Sequence, residues 1–140
     1  MDWISVRTLI ETYMQSVDLK DRAMMAGTFA ADAEAVYHAG TPQERSTHGG
    51  AIIVDEILRN IRHFVSSNHS ISNFTVRVED GVAHADTFAI ASCNLDDGRL
   101  VMRGLRYQDT VRPSGTGLVI GRRIHTPLWQ AELPSVAPRI

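Results

Sequence analysis

Apolar residues recur with a helical period at the start of the chain. Trp3, Val6, Leu9, Ile10, Tyr13, Met14 and Val17 follow the i, i+3, i+4, i+7 rule of an amphipathic helix. Asp2 stands where a side-chain oxygen can cap the free N–H groups of the first turn. The period lapses near Asp18, and Asp21 is a second capping residue. Residues 23–29, rich in Ala and Met, predict a short second helix, with a turn at 30–33 and a short strand over 34–39. The stretch 40–50 is polar and full of turn formers, and reads as a loop. Ile53, Ile57, Ile61 and Phe64 then mark the stripe of a third helix over about 51–64.

Beyond that point the period becomes two. Phe74, Val76 and Val78 alternate with Thr75, Arg77 and Glu79, which predicts a half-buried strand over 72–78. Asp80-Gly81 is a hairpin signal, and further strands are expected over 83–94, 100–111 and 118–129, with turn residues between them. His69 falls where the first of these strands enters the sheet. Helices followed by a run of antiparallel strands predict an α+β fold. Three N-terminal helices pack on a curved, mainly antiparallel β-sheet that encloses a pocket at its open end. Residues 133–140 carry Pro134 and Pro138 and no period, so they read as a C-terminal tail on a single domain spanning 1–140.

Composition narrows the function. The 140 residues are 44% apolar and 21% charged, as in a globular domain. A net charge of −2 and a pI near 6.3 argue against nucleic acid as a partner, which calls for a basic stripe. No apolar run approaches the ~20 residues of a membrane span, and the N-terminus lacks a charged-then-apolar leader pattern. The one cysteine, Cys93, permits no intrachain disulfide and fits a reducing compartment, so a cytoplasmic location is expected. His38, His48, His63 and His84 are scattered without metal-ligand spacing. There is no glycine-rich phosphate loop and no nucleophile elbow. Neither a metal nor a cofactor is expected.

Strand alternation groups candidate wall residues. Phe88, Ile90 and Ser92 share one face, as do Arg103, Leu105 and Tyr107, and Gly121, Arg123 and His125. If these faces look inward, the pocket holds two arginines, a histidine and a tyrosine among apolar side chains, and Tyr13 adds a hydroxyl from the first helix. Buried guanidinium groups need an anion or carboxylates. A slip of one residue in register turns both arginines to solvent instead.

The ordered set of motifs adds a further expectation. Tyr13-Met14-Gln15-Ser16-Val17-Asp18 closes the first helix, Phe29-Ala30-Ala31-Asp32-Ala33 follows, and Gly49-Gly50 opens a helix. Then come His69-x-x-x-Asn73, Asp80-Gly81 and Gly104-x-x-Tyr107-x-Asp109. Over about residues 3–130 this order resembles the SnoaL-like branch of the NTF2-like superfamily, with its cone fold. Within that branch the look is nearest to the lyases scytalone dehydratase and hexachlorocyclohexane dehydrochlorinase. The resemblance implies His69 as a general base, Asp18 as the carboxylate that orients it, and Arg123 as a basic residue lining the cavity. It implies a cofactor-independent lyase or isomerase (dehydratase, dehydrohalogenase or cyclase type) acting on a small, ring-containing or carbonyl substrate. Tyr13, Phe88, Ile90, Arg103, Leu105, Tyr107 and His125 would line the binding site. Arg103 stands where the dehydrochlorinase wall is apolar, which implies a more polar substrate. Two alternatives stay open: a non-catalytic small-molecule binding domain, and an accessory subunit like the small subunit of ring-hydroxylating dioxygenases. Related lyases associate through the sheet or tail, and Leu128, Trp129, Val136 and Ile140 offer apolar surface there, so a homodimer or homotrimer is expected.

Overall fold

A computed structural model of the chain describes residues 1–134. Helix α1 spans Trp3–Leu19. Its start is a reciprocal cap: the Ser5 N–H donates to the Asp2 carboxylate at 2.8 Å, and the Asp2 N–H donates to Ser5 Oγ at 3.1 Å. Val6, Ile10, Tyr13, Met14 and Val17 are buried as the period demands, and Lys20 ends the helix in the left-handed conformation. Helix α2, Arg22–Ala26, is capped by Asp21. It stops short of the expected 29, because Phe29 and the small residues after it enter a strand.

Strand β1, Phe29–Tyr37, replaces the turn expected at 30–33. Ala33 and Ala35 are buried there, where a larger side chain would push the strand off the helices. Strand β2, Arg45–His48, lies inside the expected loop and pairs antiparallel with β1 at the sheet edge. Helix α3, Gly50–Asn60, buries Ile53, Val54 and Ile57. Its first residue must be glycine, since a Cβ there would come within 2.4 Å of the Ala30 carbonyl oxygen.

Four long strands complete the sheet: β3 Phe64–Glu79, β4 Val82–Leu95, β5 Arg99–Ser114 and β6 Gly117–Pro134. The order is β2-β1-β6-β5-β4-β3, antiparallel throughout except for the parallel pair β1–β6. The result is the expected α+β architecture, three helices against a curved, mainly antiparallel six-stranded sheet. Leu133 and Pro134, assigned to the tail from the sequence, belong to β6; residues 135–140 lie outside the described residues. Among the described residues no helix is long and apolar enough to cross a membrane.

Two register features decide which residues face inward. Strand β3 begins at Phe64, so His69 sits within the strand rather than where it enters the sheet. An irregularity between Ile71 and Asn73 then changes the parity of the strand. His69, Ile71, Phe74 and Val76 consequently pair with the inward residues Ala91, Ala89, Thr87 and Ala85.

On β4 the inward face is Ala83, Ala85, Thr87, Ala89, Ala91 and Cys93. Phe88 and Ile90, expected to line the pocket, are therefore on the opposite, convex face. The physical reason is space. Helices and a cavity fill the concave side and leave room only for small side chains on β4. Phe88 instead lies 5.4 Å under the Arg106 guanidinium, and Ile90 sits across from Gly104.

Candidate functional site

A cavity of about 300 Å³ lies between α1, α3, the β1–β2 edge and the concave sheet face. Tyr13, His69, Arg103, Leu105, Tyr107 and His125 of the sequence-predicted set border it, with Val17, Tyr37, His38, Arg45, Glu56, Ile57 and Cys93. Asp18 stands directly behind His69.

Asp18 is in the last turn of α1, where the helix dipole disfavours a negative charge. Three donors offset this. The His69 ring Nδ1–H donates to Asp18 Oδ1 at 2.7 Å, the Ser67 hydroxyl donates to the same oxygen at 2.7 Å, and the His69 backbone N–H donates to Oδ2 at 2.9 Å. Ser67 and His69 reach the same carboxylate because they are two residues apart on one strand face. Burial pushes the Asp18 carboxyl up, but the hydrogen bonds and charge of His69 and the Ser67 bond outweigh it, leaving the carboxyl below its ordinary range. An ionised carboxylate only accepts, so the Nδ1 of His69 carries a proton, and in the neutral ring the lone pair is on Nε2. The His69 side chain is 7% exposed, and its accessible part borders the cavity.

The far wall is built on a second histidine. The His38 backbone N–H donates to His125 Nδ1 at 3.2 Å, so neutral His125 carries its proton on Nε2. Burial, then the charges of His38, Arg123 and Arg103, lower the His125 pKa to about 3. The ring therefore stays neutral and offers an N–H. Tyr37 stacks beside it at 5.0 Å, and its hydroxyl shares a 3.0 Å hydrogen bond with that of Tyr13. Burial, then neighbouring Tyr13, holds the Tyr37 hydroxyl well above its usual pKa, so it keeps its proton.

Arg123 does not border this cavity. It is fully buried one layer beneath, where Nε and Nη2 donate to the two carboxylate oxygens of Asp109 at 2.7 and 2.8 Å. Its guanidinium carbon lies 3.8 Å from the Tyr13 ring centre and 4.8 Å from that of Tyr107. Across the sheet Asp109 is the register partner of Arg123 and Tyr107 that of His125, so these four side chains form two adjacent rows. Among the described residues no three His, Cys, Asp or Glu side chains are placed to hold a metal ion.

Sequence reasoning missed Ser67, Tyr37, His38, Arg45 and Asp109. Ser67 was legible in principle, two residues before His69. Arg45 meets the cavity only through the β1–β2 pairing, which had no sequence signal, whereas Tyr37 and His38 are brought to it by the parallel β1–β6 pairing that sets them against His125.

Residues 3–124 match the model of the SnoaL-like domain. No curated protein sequence matches the chain. Among solved structures, a Novosphingobium aromaticivorans protein proposed to be a scytalone dehydratase superposes with a TM-score of 0.81 at 17% identity, over 95% of this chain and 88% of that one. A type 2 hexachlorocyclohexane dehydrochlorinase, LinA, superposes with a TM-score of 0.81 at 13% identity, over 96% and 92%. ActVI-ORFA of Streptomyces coelicolor gives 0.73 at 21% identity, over 89% and 96%. At these identities the likeness shows a shared fold.

Proposed function

The chain belongs to the SnoaL-like family, and from that premise we propose a cofactor-independent lyase or isomerase in which His69 is the general base. The observation that carries this reading is the bond from His69 Nδ1–H to Asp18, which leaves the Nε2 lone pair of a cavity-lining ring free to accept a proton. His69 Nε2 takes a proton from a carbon that lies beside a carbonyl or a leaving group. In an elimination the C–H electron pair becomes the new C=C π bond, and the leaving group departs with its own pair. In an isomerisation the pair moves onto the carbonyl oxygen as an enolate and returns at another carbon. Asp18 stabilises the imidazolium formed on the way.

The developing oxyanion or departing group needs donors opposite the base. His125 Nε2–H and the Tyr13–Tyr37 hydroxyl pair border the same cavity and supply neutral donors. Arg123 is a positioning residue in this scheme: it holds the Tyr13 and Tyr107 rings without reaching the substrate. We also propose a homodimer or homotrimer, because the convex face exposes Ile90, Leu128 and Trp129.

The test is a turnover screen of cyclic hydroxy-ketones, polyketide-like phenols and halogenated rings with wild type and His69→Ala. A substrate turned over only by the wild type supports the base. Equal rates with both proteins refute His69 as the base, and no turnover by the wild type replaces this reading with a binding module.

A further inference from the structure

Most arginines of the described chain are spent on carboxylates. Arg7, Arg22, Arg77, Arg99, Arg106, Arg112 and Arg123 each have an acidic partner within ion-pair distance. Five described arginines have none: the exposed Arg59, Arg62 and Arg122, and the two that border the cavity, Arg45 and Arg103. Arg103 donates through Nε to the neutral Gln130 side chain at 3.1 Å, which orients the guanidinium and leaves its outer N–H groups uncommitted. The one acid on the cavity wall, Glu56, accepts the Thr47 hydroxyl at 2.5 Å. The rim thus carries a local excess of positive charge. It is felt at His38, whose pKa is lowered by burial first and then by Arg103 and Arg45.

Register places this charge relative to the base. His69 pairs with Ala91 and Ala91 pairs with Arg103, so base and arginine share one row across three strands. Their backbones are two strand spacings apart, about 10 Å. Only the Ala91 methyl stands between them, and Leu105 and Tyr107 floor the space alongside. A cavity of about 300 Å³ is at the small end of ligand sites.

We propose that the substrate is a small cyclic carboxylate, bound through its carboxylate by Arg103 and Arg45, with the ring over Ala91 and Leu105 and a C–H directed at His69. This deepens the lyase reading and rests on it for the identity of the cavity as the substrate site. The anion stays bound through the reaction, so Arg103 and Arg45 set specificity and the developing charge falls to His125 and the tyrosines.

The experiment is a calorimetric comparison of 1-cyclohexenecarboxylate with its neutral carboxamide. Charge-assisted bonds to a planar guanidinium predict that the carboxylate binds about tenfold tighter to the wild type. Arg103→Gln and Arg45→Gln should each bring that ratio toward unity. Arg45 is exposed, so its variant keeps the test independent of folding. Arg122→Gln, which removes a surface charge away from this cavity, should leave the ratio unchanged. Equal affinities in the wild type, no saturable carboxylate binding, or a ratio that survives both substitutions overturns the anion site. None of these results touches the base, which is judged by His69→Ala turnover. Conversely, an intact ratio with a dispensable His69 removes the lyase reading and leaves the anion site standing.

Discussion

Replacing Asp18 by asparagine probes the dyad without a substrate. The carboxylate accepts three hydrogen bonds, and the backbone N–H of His69 is the donor that cannot change. The amide oxygen of Asn must therefore face that N–H, which turns its NH₂ toward the His69 ring and Ser67. The ring then accepts at Nδ1 and carries its proton on Nε2, the wrong tautomer for a base. Exchanging three charge-assisted bonds for neutral ones costs roughly 1 kcal/mol each. Removing a negative charge from the helix C-terminus returns about 0.3–1 kcal/mol. The variant should thus be less stable by about 2 kcal/mol at neutral pH, a drop of roughly 4–8 °C in Tm for a domain of this size.

The sign of the pH dependence is fixed by the depressed Asp18 carboxyl. Its contribution is full above the unfolded value of about 3.9 and is lost as pH falls through the folded one. Urea unfolding of both proteins from neutral pH to pH ~3 should show the gap closing in acid. ¹⁵N shifts of the His69 ring should show the proton move from Nδ1 to Nε2. Equal stability at neutral pH, a gap that persists in acid, or an unchanged tautomer refutes the reasoning.

Other expectations follow from the same site. His69→Ala should leave the melting curve cooperative and lower turnover of a found substrate by ~100 to 10,000-fold, measured by initial rates. His125, with a pKa of about 3, should show no ring protonation by NMR through the weakly acid range. Its folded value is depressed, so unfolded chains take up a proton that the native ring refuses. Stability should fall as pH drops from about 6.5, by up to ~1.4 kcal/mol per unit, and His125→Asn should remove that slope. Arg123→Met leaves Asp109 buried and unpaired, and urea unfolding should show a loss of about 3–5 kcal/mol, mostly recovered by adding Asp109→Leu. Light scattering at micromolar concentration should report a dimer or trimer, and a monomer contradicts the assembly proposal.

The elements that the sequence made legible are those whose pattern and packing agree. The stripe of α1 and the alternation of β5 placed Tyr13, Arg103, Leu105 and Tyr107 at the cavity. Strand β4 was misread because its large residues, Phe88 and Ile90, are outside and its alanines inside, the inverse of the usual preference. Strand β3 extends further toward its start than the pattern predicts because Ser66, Ser67, Asn68 and Ser70 are polar, and the parity change after Ile71 hides the face that His69 shares with Phe74. Arg123 was placed on the correct face but the wrong layer. Its burial depends on Asp109, which the alternation pattern could not pair with it.

The most direct test of the central claim is proton exchange at carbon. Loss of the α-C–H signal of 3-oxocyclohexanecarboxylate in D₂O, followed by ¹H NMR, reads abstraction by a base without requiring elimination. The account predicts that wild-type protein accelerates this exchange and that the His69→Ala protein exchanges at the buffer rate. Exchange as fast with His69→Ala as with the wild type, or no acceleration by the wild type, would contradict it.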